Sequence, residues 1–307
     1  MKTAYPIFLM ALFLAAPTVS HAQDAREIMV KVDDVTNRSY RSSVRQMKFS
    51  TCRYSLSNGK LSCAEKPRNI RFEVFSKHKP AAQGGLDHKS LDVIVDPVSD
   101  KGTTMLSWIY ADVDKPFDIW VYLPVLNKVK RLVAVSDGNE AAAMFGSEVS
   151  TEDSSDDRKI RDYTYKLLGQ DTYRSRPVWK IEMTPTASRR KRSYYSRIVA
   201  YVDKERFNVI KEELYDPSGR LYKEWSVIEA KQFGRVWLPM KASMNNLLKR
   251  RITIVETSGV ALNVDIEDEF HTQRSLTDFA YRERQMQLYR KSLTQGKGGT
   301  QQAPAKP

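Results

Sequence analysis

From Tyr40 onward apolar and polar residues alternate in short runs, VRQMKF, RNIRFEVFS, LDVIV, TTMLSWIYA, DIWVYLP and KVKRLVAV, with turn residues between them. A period of two is the signature of strands that present one face to a core. After a break at 140–161 the pattern resumes as DYTYKLLG, VWKIEMT, SYYSRIVAYVD, FNVIKEELYD, RLYKEWSVIEAKQ, RVWLPMKASM and RITIVETSGVAL. The spacing predicts an antiparallel meander of eleven to thirteen strands, too many to stay flat, so the sheet is expected to curl or close. In DIWVYL both strand faces are apolar, Ile119, Val121 and Leu123 on one and Trp120 and Tyr122 on the other, so both faces need cover.

Two segments change period. Asp24 to Arg38 carries Ile28, Met29, Val32 and Val35 on one stripe, with Asp24 placed to cap a helix and Glu27 three residues on. Ser275 to Leu293 reads as a C-terminal helix with Leu276, Phe279, Ala280 and Met286 near one face. These helices are expected on the concave side of the curled sheet, giving an α+β chain that is mainly antiparallel β.

The chain opens with Lys2, an apolar run from Ile7 to Ala16 and Ser20-His21-Ala22, the layout of a secretory signal peptide cleaved after Ala22. The run is too short to span a bilayer as a helix. Residues 1–22 are therefore read as a signal, 23–292 as one domain and 293–307, rich in Gly, Gln, Pro and Lys, as a disordered tail. Export across the inner membrane is expected, and the family resemblance given below implies the periplasm as its destination. The formal charge of +13 loses only Lys2. Outside the cytoplasm this charge favours an anionic membrane surface or an acidic partner over nucleic acid, and it also serves plain solubility.

Cys52 and Cys63 enter an oxidising compartment. A hairpin with loop Leu56 to Gly59 places Ser55 facing Lys60 and Cys52 opposite Cys63. A disulfide there is worth roughly 3 kcal/mol by chain entropy.

Chemistry is sparse. His78, His88 and His271 stand apart with no zinc spacing, and no nucleophile elbow or phosphate loop occurs. No enzyme activity, metal or cofactor is predicted. Glu148, Glu152, Asp153, Asp156 and Asp157 lack the order of a calcium loop and read as a solvated cap. Arg189, Arg190, Lys191 and Arg192 read as a solvated turn, with contact to an anionic membrane or a partner as the functional alternative. The remaining candidate is apolar surface. Met105, Trp108, Trp120 and Tyr122 either fill a core or line a cavity for a flexible hydrophobic ligand.

Five pieces in order, DPVSDKGTTMLSW (96–108), DIWVYLPVLNKVKRL (118–132), MFGSEVSTED (144–153), YYSRIVAYVDKERFNVIKEELYDPSGRLYKEW (194–225) and FGRVWLPMKASMNN (233–246), resemble the periplasmic outer-membrane lipoprotein-sorting proteins of the LolA-like superfamily. The resemblance implies an unclosed barrel of about eleven strands with helices in its concave side and an apolar cavity between. It implies a carrier of lipid or lipoprotein acyl chains, or of other hydrophobic cargo beside an exporter of the resistance-nodulation-division type. The competing expectation is an adaptor that docks on such an exporter or on anionic lipid. Val149 and Ser154-Ser155 depart from the aromatic and hydrophobic residues that the family tends to carry around its acidic loop.

Overall fold

The computed structural model describes residues 24–57, 60–78, 86–112, 115, 117–132, 140–153 and 158–295. The proposed signal segment lies outside them, as does the tail beyond 295. Among the described residues no helix is long and apolar enough to cross a membrane.

Helix α1 (Ala25–Thr36) begins at Asp24, whose side chain accepts the Arg26 amide at 3.0 Å, and buries Ala25, Ile28, Met29 and Val32. Strands β1 (Ser42–Ser57), β2 (Lys60–Cys63), β3 (Arg68–His78), β4 (Leu86–Asp96), β5 (Thr104–Tyr110), β6 (Asp118–Leu123) and β7 (Lys128–Leu132) form the first arm. Strands β8 (Tyr163–Tyr173), β9 (Arg176–Pro185), β10 (Arg197–Asp203), β11 (Val209–Tyr215), β12 (Leu221–Phe233), β13 (Val236–Asn246) and β14 (Arg251–Leu262) form the second. Short helices α2 (Ala187–Arg190) and α3 (Arg274–Thr277) and the longer α4 (Phe279–Gln295) complete the chain.

The fourteen strands make one antiparallel sheet in the order β7-β6-β5-β4-β3-β1-β14-β13-β12-β11-β10-β9-β8, with β2 paired to the end of β1. Each arm is a meander, and the long β1 joins them by pairing with β3 on one side and β14 on the other. The count exceeds the eleven to thirteen expected because Lys-Leu-Ser-Cys of β2 is too short to show a period. Its register also differs: Tyr54 stands opposite Cys63 and Ser57 opposite Lys60, so Cys52 is diagonal to Cys63 rather than facing it. The disulfide forms across that diagonal, with Cα atoms 5.7 Å apart.

The sheet curls, since residues of β5 near one end of the order and of β8 and β9 at the other line the same cavity. No ladder joins β7 to β8 among the described residues, so the barrel is unclosed. Helix α1 lies in the concave side against β8–β13, where Ile28, Met29 and Val32 meet Ile181, Met183, Leu214 and Met244. The C-terminal helices do not join it there. Leu276, Tyr281, Met286 and Tyr289 pack on the outer face of β1 and β3–β6, against Val44, Phe75, Leu91 and Leu106. The single C-terminal helix expected is broken at Asp278, whose backbone leaves helical geometry and whose carboxylate accepts the Tyr281 amide at 2.9 Å. Its second piece runs to Gln295, three residues into the expected tail.

Candidate functional site

Because α3 and α4 sit outside, the concave side beneath β1, β3, β4 and β5 is left partly open. A cavity of about 350 Å³ remains between that wall, α1 and the segments 144–153 and 158–160. Ligand sites in proteins run from about 300 to 1,000 Å³, so the space is of binding size.

The first-arm wall of this cavity is graded along the strands. Ser43, Ser76, Ser90 and Ser107 face one another in a cross-strand row, and Ser76, Ser90 and Ser107 line the space. The next row runs Arg45, Val74, Asp92 and Met105, and the one after it Met47 and Phe72. Beyond these lies Phe49, edge-on to Phe72 at 4.7 Å. One end of the wall is thus hydroxyl and charge, and the other is aromatic and thioether.

The acidic segment closes one side of the cavity, and it is not solvated as the sequence suggested. Glu148 and Glu152 are buried, and so is the side chain of Asp153. Burial pushes Asp153 up, but the Lys223 ammonium at 3.5 Å, the Tyr195 hydroxyl at 2.6 Å and the Ser150 amide outweigh it and hold the carboxyl below its usual range. Lys223 is raised in turn: burial opposes its charge, and Asp153, Glu140 and Glu148 overcome that. Arg251 and Asn246 bind Glu148 at 2.6 and 2.8 Å. Strand cations thus staple 140–153 onto the sheet. Asp156 and Asp157 lie outside the described residues. Among those described, no cluster of His, Cys, Asp or Glu has the makings of a metal site.

The basic run divides. Arg189, expected at the surface, is wholly buried with Glu152 at 3.5 Å and Asp162 at 3.9 Å, because the Thr186-capped turn of α2 folds it inward. Arg190 and Lys191 are exposed and Arg192 is half-buried, so the run presents no four-residue cationic face.

The four apolar candidates divide as well. Met105 lines the cavity. Trp108, Trp120 and Tyr122 point the other way, into the packing under α3 and α4. Trp108 donates to the His271 carbonyl at 2.8 Å and meets Trp120 edge-on at 5.0 Å, while Tyr122 lies 5.1 Å from Phe279. They do not line the cavity, since one step along a strand reverses the face.

The sequence reading missed Arg45, Ser76, His88 and Ser90. The signal was present in His88-Lys89-Ser90-Leu91-Asp92, where small and polar side chains recur at every second place. His78 and His88, treated as isolated, face each other across β3 and β4 with ring centroids 4.6 Å apart. His271 is buried with its Nε2 3.0 Å from the Phe75 carbonyl, and burial pushes it down to about 4 against that bond.

Residues 86–278 match the model of a family described only as an uncharacterized protein. The chain belongs to this family, DUF1329. A solved DUF1329 family protein from Desulfovibrio piger is 25% identical with a TM-score of 0.70, covering 82% of this chain and 97% of that one. An outer membrane lipoprotein-sorting protein domain from Vibrio parahaemolyticus is 23% identical with a TM-score of 0.69, over 82% and 98%. A LolA superfamily protein from Nitrosomonas europaea follows at 20% and 0.59, again over 82% and 98%. The DUF1329 chain therefore has a LolA-like fold, enlarged to fourteen strands. No curated protein matches it.

Proposed function

We propose that this DUF1329 protein is a non-enzymatic periplasmic carrier that shelters acyl chains of a lipid or lipoprotein, or another hydrophobic cargo, between its curled sheet and α1. The observation that carries the reading is the cavity of about 350 Å³ whose lining includes Met29, Met47, Phe72, Met105 and Met244. Thioether side chains re-pack around flexible ligands at little cost, and each methylene buried gains up to about 0.8 kcal/mol before ordering costs. The fold shared with sorting proteins supports the same reading, as does a disulfide suited to an oxidising compartment.

Native mass spectrometry of protein released gently from the periplasm is expected to show a retained lipid. Delipidated protein should take up a fluorescent fatty acid saturably, and Met105→Glu should weaken that uptake. Folded protein that shows no saturable uptake would overturn the carrier reading.

A second reading, an adaptor docking on an exporter or on anionic lipid, is favoured by one surface. Val125 is 85% exposed and Leu126 51% at the tip between β6 and β7, and exposed Lys128, Lys130 and Arg131 follow. Salt-sensitive flotation with anionic vesicles, lost in Val125→Asp, would favour it.

A further inference from the structure

Arg45 is the one cation of the cavity wall that has no carboxylate within ion-pair distance among the described residues. Its Nη2 donates to the Tyr40 hydroxyl at 2.6 Å, its guanidinium lies 5.7 Å from the Tyr40 ring, and its Nε is buried without a partner. Arg158, the other cation lining the space, is paired with Glu212. The carboxylates that face the cavity are engaged elsewhere: Asp33 by Arg38 at 2.7 Å and Asn37 at 3.0 Å, and Asp153 by Lys223 at 3.5 Å. Asp92 accepts the Ser90 hydroxyl at 2.6 Å and lies two strands from Arg45, roughly 10 Å away.

A guanidinium partly withdrawn from water, with a free donor, is unsatisfied, and its planar fork fits the two oxygens of a carboxylate or phosphate. Ser76 stands diagonally beside it on β3, one row toward the polar end of the wall, while Met47 and Phe72 lie one row toward the apolar end. An extended chain whose head rested on Arg45 would therefore run into the greasy half of the cavity, with hydroxyls behind its head.

Resting on the carrier reading above, we propose that the cargo is an amphiphile with an anionic head, a carboxylate or a phosphate, seated on Arg45 beside the serine row, with its acyl chain directed along Met47 and Phe72 toward Phe49.

The test is competition of sixteen-carbon probes against a fluorescent neutral lipid on the delipidated full chain: palmitate, hexadecyl phosphate, hexadecanol and hexadecyltrimethylammonium. The two anions are expected to bind about tenfold or more tighter than hexadecanol, the size of a charge-assisted hydrogen bond. Arg45→Gln should erase that preference by weakening the two anions, and Arg45→Lys should keep part of it. Palmitate ahead of hexadecyl phosphate identifies a fatty acid as the source, and the reverse order a phosphate headgroup. Hexadecanol or the cationic probe binding as tightly as the anions, or an anion preference that survives in Arg45→Gln, overturns the anionic head and leaves the carrier standing. Binding of none of the four by folded protein overturns both.

Discussion

Met105 and Leu106 are neighbours on β5, both apolar and both buried, yet they serve opposite faces of one sheet. Leu106 is packed under the C-terminal helices with Phe75, Phe270 and Tyr281, and Met105 borders open space. On the first arm the outer face carries the larger aromatic load, Phe75, Trp108, Trp120 and Tyr122, and has a helix to fill it. The inner face carries serines, methionines and Arg45, and among the described residues no helix fills it under the first arm. The difference shows that the face with the heavier aromatic packing is not the one that borders open space. A filled face needs bulky, rigid rings, while a face kept open needs adaptable side chains and a few polar anchors.

Three measurements would break or sharpen the contrast. The largest effect is expected for Leu106→Ala, a loss of about 3–5 kcal/mol in denaturant unfolding, since its pocket is closed on every side. Met105→Ala should cost less than half as much, because its atoms already border space. Equal losses would mean that the inner face is packed like the outer one.

Next comes acid sensitivity of the outer face. His271 is held neutral there, at about 4 in the fold, and returns to about 6.5 when unfolded. The unfolded state thus binds the extra proton between these values. The stability this residue contributes is present above pH 6.5 and is lost as pH falls toward 4, by up to about 3 kcal/mol. Unfolding curves at pH 7 and pH 4.5 should show a smaller drop for His271→Gln than for the unsubstituted chain, with fatty-acid uptake at pH 7 unchanged.

The smallest effect belongs to Trp108→Phe, which removes the bond to the His271 carbonyl and trims the ring packed on Trp120 but keeps an aromatic side chain in place. A loss of about 1 kcal/mol is expected, with lipid uptake unaltered. Weakened uptake in this variant would place cargo on the outer face and reverse the comparison.

Much of the fold could be read from periodicity. The stripe of α1 with Asp24 as its cap, the alternation of β3 and of β8–β14 and the tight turns between them are local signals, and local signals survive in a one-dimensional string. The 140–162 segment misled because acidic and serine-rich sequence ordinarily means solvent. Here Lys223, Arg251 and Arg189, distant in sequence, pair with its Glu148, Glu152, Asp153 and Asp162, and such pairing is invisible until strands are placed side by side. Cys52 and Cys63 could be paired from spacing alone, but the register could not, since a two-residue turn and a four-residue loop both bring them within reach.

What the sequence determined by itself is the alternation: an antiparallel sheet of many strands with two apolar faces, one amphipathic helix before it and another after it. What only the tertiary structure decided is which face each helix takes. The pleat fixes that Met105 and Trp108 point apart, but nothing along the strand says which of them looks inward. That choice came from the curl of the sheet and from the docking of the C-terminal helices, fastened by Arg290 on Glu73 at 2.9 Å and by the Phe75, Phe270 and Tyr289 rings, on the outside. With the outer face thereby closed, the space left under the first arm is the inner one, with Arg45 on its wall.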